Sequence, residues 1–325
     1  MSRDLDLIYL KSENARMSLK ELSNHLNKTP QRLKYSLSVL QKEGTLKYPH
    51  CIFEYSSFGL ILFRVYFRGS YINEQERKEI IELLNSNPYL TSIYEFTGEY
   101  DLTAEFICPN PSKFNKELKR ISSLKNTLSD FKVILNLVTH LYSRDCIAKN
   151  TSLKFLNPER VLGGDREKEE FNENELAVMK QLLLHPTMGM GAISKEVKIN
   201  VKTVRSIVQK LKKKNILKGF KYATDANNLG INRYRLFLKL HHVSQERESK
   251  IVKFALDTKE IVQLNKTIGD WDIELDIEAV DKNRIRQILL QLREEFKELI
   301  EKSSQIDFYD YHKLTYLPNF LFEGN

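Results

Sequence analysis

Only three cysteines, Cys51, Cys108 and Cys146, occur in 325 residues, and none lies near another. An odd, scattered set offers neither a disulfide framework nor the Cys-x-x-Cys spacing of a zinc site; it reads as small apolar side chains in a reducing compartment. Apolar runs are short, and none approaches the roughly 20 residues that span a bilayer. The first residues, Met1-Ser2-Arg3-Asp4-Leu5-Asp6, carry acids where a secretory signal needs an apolar core, so the protein is expected in the cytoplasm and off the membrane. Catalytic signatures are missing too: no Gly-x-Ser-x-Gly, no His-Glu-x-x-His and no phosphate loop. Gly189-Met190-Gly191 lies between helical stretches, the wrong context for a dinucleotide site. These absences predict a non-enzymatic protein with no catalytic residue, no metal and no resident cofactor.

What is present is an ordinary globular composition of a length that accommodates two to four domains. The net charge of +8 admits a polyanionic partner, and its placement is more telling. Residues 1–47 hold 9 Lys and Arg against 5 Asp and Glu, and residues 172–221 hold 11 against 3. The surplus is confined to these two segments.

The segments are copies. Leu22 and Ile193, Leu26 and Val197, Leu33 and Val204, Leu37 and Val208, and Leu40 and Leu211 all stand 171 positions apart. Phe58-Gly59 answers Leu229-Gly230 at that spacing, and Thr97-Gly98-Glu99-Tyr100-Asp101 answers Ile268-Gly269-Asp270-Trp271-Asp272. A spacing held over so long a stretch predicts two homologous units.

Each unit opens with a basic helical segment. Ser18-Leu19-Lys20-Glu21 spells a capping box, with Leu19, Leu22 and Leu26 on one face of the helix that follows. Asn27-Lys28-Thr29-Pro30 ends that helix and starts the next, Thr29 as N-cap and Pro30 in the first turn. Leu33, Leu37 and Leu40 then turn inward, leaving Gln31, Arg32, Lys34, Tyr35, Ser38 and Lys42 outward, and Gly44 suits the stop. In the second unit Asn200 replaces Thr29, Val201 replaces the proline and Asn215 stands at the stop. Its outward residues include Lys202, Thr203, Arg205, Ser206, Gln209, Lys210, Lys212, Lys213 and Lys214. With a preceding helix at about 4–13 and 173–184, each segment predicts a helix-turn-helix, whose second helix would offer Thr29, Gln31, Arg32, Lys34, Tyr35 and Ser38, or Asn200, Lys202, Thr203, Arg205, Ser206 and Gln209, to double-stranded DNA. The bland alternative, a solvated amphipathic helix, fits a lone charge run better than it fits caps, a turn and a matching second copy.

Beyond each basic segment the period changes to alternation. Residues 60–68 read as a strand, 73–85 as an amphipathic helix, 89–97 and 100–107 as strands, 111–122 as a helix and 131–142 as a strand. The second unit repeats this βαββαβ order at about 234–243, 245–257, 261–268, 271–279, 281–299 and 304–315, the pattern of a ferredoxin-like sandwich. The fold class expected is therefore α+β, with helix-turn-helix units of the winged kind at 1–54 and 172–224, sandwich domains at 55–145 and 225–325, and a linker at 146–171 holding a short ordered piece near Leu153 to Leu156. His241 and His242 are read as adjacent strand residues on opposite faces.

Taken together, Asn14-Ala15-Arg16-Met17-Ser18, Glu43-Gly44-Thr45-Leu46, Phe58-Gly59 and the two Gly-x-x-Asp loops resemble the Lrp/AsnC family of feast/famine regulators over nearly all the chain outside the linker. The resemblance implies transcription control, a small effector such as an amino acid, and DNA-binding units held as dimers by ferredoxin-like domains. Two units in one polypeptide depart from the family, so its dimer would arise within the chain as a pseudo-dimer or between chains as a homo-oligomer. The second unit has His185-Pro186-Thr187 in place of Asn-Ala-Arg, so its first two helices are expected to be set differently. Effectors in the family bind beside the Gly-x-x-Asp loop, which carries over to Gly98, Tyr100 and Asp101, and to Gly269, Trp271 and Asp272; a plain hairpin turn, with Tyr100 and Trp271 in the core, is the competing reading.

Two other classes are weighed. Sirohaem decarboxylases resemble the same family, and would need His and Arg near loops that here read Gly-Glu-Tyr-Asp and Gly-Asp-Trp-Asp. His140 and His312 lie on the last strands, one residue out of register. An adaptor using these domains only for protein contacts is the third.

Overall fold

The computed structural model describes residues 4–150, 159–242 and 244–323. The ordered piece expected near Leu153 to Leu156 lies outside the described residues.

Each half begins with three helices: α1 (Leu5–Glu13), α2 (Leu19–Leu26) and α3 (Pro30–Lys42) in the first, α6 (Glu173–Leu184), α7 (Met190–Val197) and α8 (Val201–Lys213) in the second. Local chemistry sets their ends. The Ser18–Glu21 capping box forms, Thr29 accepts from the Arg32 N–H, and Asn200 accepts from the Lys202 N–H. Gly44 (φ 73°) and Asn215 (φ 56°) take the left-handed stop, which asparagine tolerates better than other side chains. Strand β1 (Leu46–Phe53) follows α3, and β7 (Leu217–Thr224) follows α8; the two pair antiparallel, with His50 opposite Lys221. The alternation read from the sequence did not extend to these strands. They join both helical units into one body, whose core takes Leu7, Leu22, Leu33 and Leu40 from one unit and Val178, Ile193, Val204 and Leu211 from the other.

The remaining elements run β2 (Ile61–Phe67), α4 (Glu74–Asn85), β3 (Leu90–Thr97), β4 (Leu102–Cys108), α5 (Pro111–Leu124), β5 (Phe131–Leu141) and β6 (Arg160–Gly163). After the short α9 (Ala226–Leu229), the second half repeats the order as β8 (Asn232–Leu240), α10 (Gln245–Asp257), β9 (Ile261–Ile268), β10 (Ile273–Ala279), α11 (Lys282–Glu295) and β11 (Ile300–Leu314). The element order is the expected βαββαβ in both halves; in the second half α11 stops at Glu295, not 299, and β11 starts at Ile300, not 304. Two features differ from expectation. Arg160–Gly163, within the expected linker, is a strand hydrogen-bonded to the end of β5. His241 and His242 lie past the end of β8, and the positive φ of His242 (50°) brings their rings to 5.0 Å instead of splitting them across a sheet.

The strands form one antiparallel sheet in the order β2-β4-β3-β11-β8-β10-β9-β5-β6, and β2 also pairs with β5, closing a ring of eight. Each half contributes four neighbouring strands, joined at two seams: β3 to β11 and β9 to β5. Alternation decides the rest. On β2, Phe63, Val65 and Phe67 face α4 and α5, where each fully buried apolar side chain is worth roughly 1.5–3 kcal/mol. Arg64 and Tyr66, between them in sequence, face the opposing half and are also buried. On β10, Ile273, Leu275 and Ile277 face the helices, while Glu274, Asp276 and Glu278 turn inward and stay buried.

Candidate nucleic-acid interface and the seam between the halves

Neither α3 nor α8 contains an acidic residue. Leu33 and Leu40, and Val204, Ile207, Val208 and Leu211, anchor them to the shared core, which fixes what points outward. Gln31, Arg32, Lys34, Tyr35 and Ser38 are exposed or half-buried on α3, with Tyr35 at 66% exposure despite its ring; Lys202, Thr203, Arg205, Ser206 and Gln209 are exposed on α8. Among the described residues Arg32, Lys34, Lys42, Lys202, Arg205, Lys212 and Lys213 make no ion pair. Lys210 and Lys214 are held by Glu175 and Glu169, each at 2.5 Å. The caps Thr29 and Asn200 are exposed at the helix starts, where free N–H groups and the positive end of the dipole favour a phosphate. The Asn-Ala-Arg motif acts across the pair of units: Arg16 donates to the carbonyls of Pro186 (2.6 Å) and Met188 (2.9 Å) and lies over the Phe220 ring. The triplet that differs between the units is thus half of a contact between them.

The Gly-x-x-Asp loops close onto the seams. A Cβ on Gly98 (φ 129°) would meet Ile306 Cγ2 at 3.4 Å, and one on Gly269 (φ 149°) would meet the Val133 carbonyl oxygen at 3.2 Å. Both contacts are to the other half, so the positive φ and the missing side chain serve the same close approach. The carboxylates are engaged locally. Asp101 accepts from the Ser70 N–H (3.0 Å) and hydroxyl (3.2 Å); Asp272 accepts from the Leu240 N–H (2.8 Å) and the Lys239 ammonium (3.1 Å). Tyr100 and Trp271 are buried in an aromatic cluster with Tyr66, Phe96 and Phe237.

Behind that cluster lies a feature missed at the sequence level. Arg64 and Arg235, equivalent positions of the two halves, are both 1% exposed. Arg64 donates to Glu105 (2.7 Å) and Tyr94 (3.0 Å) and pairs with Glu274 of the other half; Arg235 grips Asp276 at 2.6 and 2.7 Å and donates to Tyr66 (2.8 Å) of the first half. Burial works against the Arg64 charge, but Glu274, Tyr94 and Glu105 outweigh it and hold the guanidinium ionised. Burial pushes Asp276 up, and Arg235 offsets only part of that. An alternating Ile-Glu-Leu-Asp-Ile-Glu reads as a strand with one wet face; that this face turns into a closed ring is a tertiary fact.

The two histidines on the last strands are taken by carboxylates: His140 Nδ1 lies 2.6 Å from Glu159, and His312 Nε2 lies 2.6 Å from Glu95. Glu95 also accepts from Arg77 and Tyr71, and although burial opposes it these bonds hold its pKa down to about 2. His312 falls where the β11–β3 register shifts. Among the described residues no group of three or more His, Cys, Asp or Glu could hold a metal ion, and no helix is long and apolar enough to cross a membrane.

The architecture is thus an α+β protein in which paired helical units with outward basic helices stand on a closed ring of strands. Over 128 residues, the chain is 23% identical to PH0061 of Pyrococcus horikoshii, an uncharacterized HTH-type transcriptional regulator; the match takes in 39% of this chain and 79% of that protein. Over nearly its whole length it is similar in fold to the crystal structure of the siroheme decarboxylase NirDL, with a TM-score of 0.57 at 12% identity, covering 97% of this chain and 94% of that one. The same values hold for NirDL in co-complex with an iron-uroporphyrin III analogue. No family model matches the chain. The expectation of a non-enzymatic protein is corrected here, because the fold that this chain follows end to end is that of an enzyme. Most of the motifs whose absence prompted it belong to hydrolases, metalloproteases and nucleotide-binding enzymes and do not bear on decarboxylation; the lack of histidine at the two Gly-x-x-Asp loops was the one ground that does.

Proposed function

We propose that the chain is a sequence-specific DNA-binding transcription regulator built as a tandem duplication, its two halves forming within one polypeptide the pair that Lrp/AsnC-like regulators form between subunits. In this reading residues 1–54 and 172–224 are the DNA-binding units, 55–145 and 225–325 the ferredoxin-like sensor domains, and 146–171 the connection. The observation that carries it is the acid-free outer faces of α3 and α8, which leave Arg32, Lys34, Lys202, Arg205, Lys212 and Lys213 unpaired and exposed. Likeness to an HTH-type regulator over part of the chain supports it. Arg32, Lys34, Lys202 and Arg205 bind phosphates or guanine edges; Gln31, Tyr35, Ser38, Thr203, Ser206 and Gln209 contact bases; Thr29 and Asn200 present helix starts to the backbone. A small effector such as an amino acid acts at the Gly98–Asp101 and Gly269–Asp272 loops by changing how each packs on the other half. Titrating the full chain with labelled duplex from its own upstream region at several salt concentrations tests the reading, which requires tight binding that weakens steeply with salt.

A second reading, tetrapyrrole decarboxylation, is favoured by the whole-length likeness to NirDL. It predicts that the chain binds an iron-uroporphyrin with a visible absorption band, and that substituting His140 or His312 alters that band. Duplex binding without any band selects the first reading, and a band without duplex binding selects the second.

A further inference from the structure

An interior cavity of about 100 Å³ lies where the β1–β7 ribbon meets the barrel. His50 and Lys221, opposite each other on the ribbon, line it from one side; Tyr142, Arg144 and Arg233 line it from the barrel. Four buried or nearly buried cations, Arg144, Arg160, Lys221 and Arg233, are met there by two carboxylates. Glu13 lies 2.8 Å from Lys221 and 3.5 Å from Arg160, and Glu278 lies 3.0 Å from both Arg144 and Arg233. Deeper in the barrel Arg64 and Arg235 are met by Glu105, Glu274 and Asp276. Lys47, at the rim, has Asp225 and Asp310 of its own.

Of the carboxylates that pair with Lys221, Arg144 and Arg233, Glu278 lines the space and Glu13 does not, so this part of the wall presents more cations than acids. Neutral donors stand beside them. His50 Nδ1 and the Tyr142 hydroxyl are buried and make no hydrogen bond, although both residues line the cavity. Arginine forks and single N–H and O–H donors converging on a small space are the recognition chemistry of an oxyanion. Burial first, with Arg144 and Arg160, holds Lys221 down to about 8 against the pull of Glu13.

We propose that this cavity binds a small oxyanion, a phosphate or a short carboxylate, held by Lys221 and His50 from the ribbon and by Arg144, Arg233 and Tyr142 from the barrel. Size limits the ligand: a dry cavity of about 150 Å³ takes one benzene ring, so the space here suits an ion of four or five heavy atoms. Bound there, the anion ties the layer carrying α3 and α8 to the barrel. The site does not depend on the DNA reading and stands even if those helices bind nothing.

The test uses the full chain. Inorganic phosphate and acetate are titrated separately, with chloride at matched ionic strength as the control, and Tm is read. A saturable rise of about 2–4 °C with one oxyanion and not with chloride is expected; a response to phosphate alone identifies a phosphoryl ligand, and to acetate alone a carboxylate. Arg233→Gln abolishes the response, and Tyr142→Phe, which removes only an unpartnered hydroxyl, weakens binding about tenfold. Crystals grown with selenate show an anomalous peak between His50 and Arg233. No oxyanion-specific rise, or a phosphate-specific rise with no selenate peak in the cavity, or a rise undiminished in both variants, overturns the proposal.

Discussion

The Tyr66 hydroxyl donates to the Glu274 carboxylate at 2.7 Å, across the interface between the two halves. The same carboxylate pairs with Arg64 and accepts from the Asn265 amide, so one side chain of the second half is satisfied largely by the first. The halves are therefore joined not only by strand pairing at the seams but by a charged network that neither can complete alone.

Removing one member leaves its partners buried and unmatched. Arg235→Leu strands Asp276 and takes a donor from Tyr66 and Tyr94. It should lower unfolding free energy by about 3–5 kcal/mol, the range for breaking a buried pair from one side. Tyr66→Phe, which removes the hydrogen bonds to Glu274 and from Arg235, should lower it by about 1.5–3 kcal/mol per bond. Urea denaturation measures both, and equal, small losses would mean that water reaches the network.

Gly269→Ala tests the seam itself. The added Cβ meets the Val133 carbonyl at 3.2 Å on a backbone with φ 149°, so strain and crowding act together. A loss of about 1–3 kcal/mol is expected. Gly230→Ala has positive φ but open space around it, and should cost less. A double comparison by thermal unfolding separates backbone strain from packing against the other half; equal losses would show that the approach to Val133 is not tight.

The same seam shows where sequence reading stopped. Caps, apolar spacing and the constant offset made the helices, the two-fold repetition and the strand order legible, because these depend on neighbours within a turn or a hairpin. Ser18–Glu21, Thr29 and Asn200 act as their types predict. The β1–β7 ribbon was not legible, since its pairing depends on a partner about 170 residues away. Nor were Arg64, Arg235, Glu274 and Asp276, which look like the wet face of an amphipathic strand until the sheet closes and the other half covers them. The outward residues of α3 and α8 were found by periodicity alone. The non-enzymatic expectation rested on missing motifs of other chemistries and on the want of histidine at the Gly-x-x-Asp loops, and the whole-length likeness in fold to an enzyme overturns it.

His50 gives the stability curve a defined acid limb. Burial first, then Lys221, Arg144 and Arg160, push its pKa down to about 3 from the ordinary 6.5. Between these values the unfolded chain holds a proton that the folded chain does not. This contribution is therefore fully present above pH 6.5 and is lost as pH falls toward 3, with a slope of up to about 1.4 kcal/mol per pH unit. Denaturation at about pH 6 and pH 5, before most carboxylates titrate, isolates it. His50→Gln should flatten that interval, and an unchanged slope would assign it to another group.

The two outer helices should not contribute equally to duplex binding. Both are free of acids, but α8 carries Lys202, Arg205, Lys210, Lys212 and Lys213 where α3 carries Arg32, Lys34 and Lys42. Every phosphate that a side chain ceases to neutralise reduces the slope of log affinity against log salt by about 0.9. Replacing Lys202 and Arg205 with alanine should therefore lower that slope by roughly 2 and weaken every duplex alike if both touch phosphates. If Arg205 reads a guanine edge instead, the effect concentrates on one sequence, with about 1–3 kcal/mol of discrimination removed. Replacing Arg32 and Lys34 on α3 is the matched control: a similar weakening means that both helices sit on DNA together, and unchanged binding means that α8 carries it. Because these side chains are exposed and unpaired, the substitutions should leave unfolding free energy within about 0.5 kcal/mol of the parent, so a change in affinity reports on the interface and not on the fold.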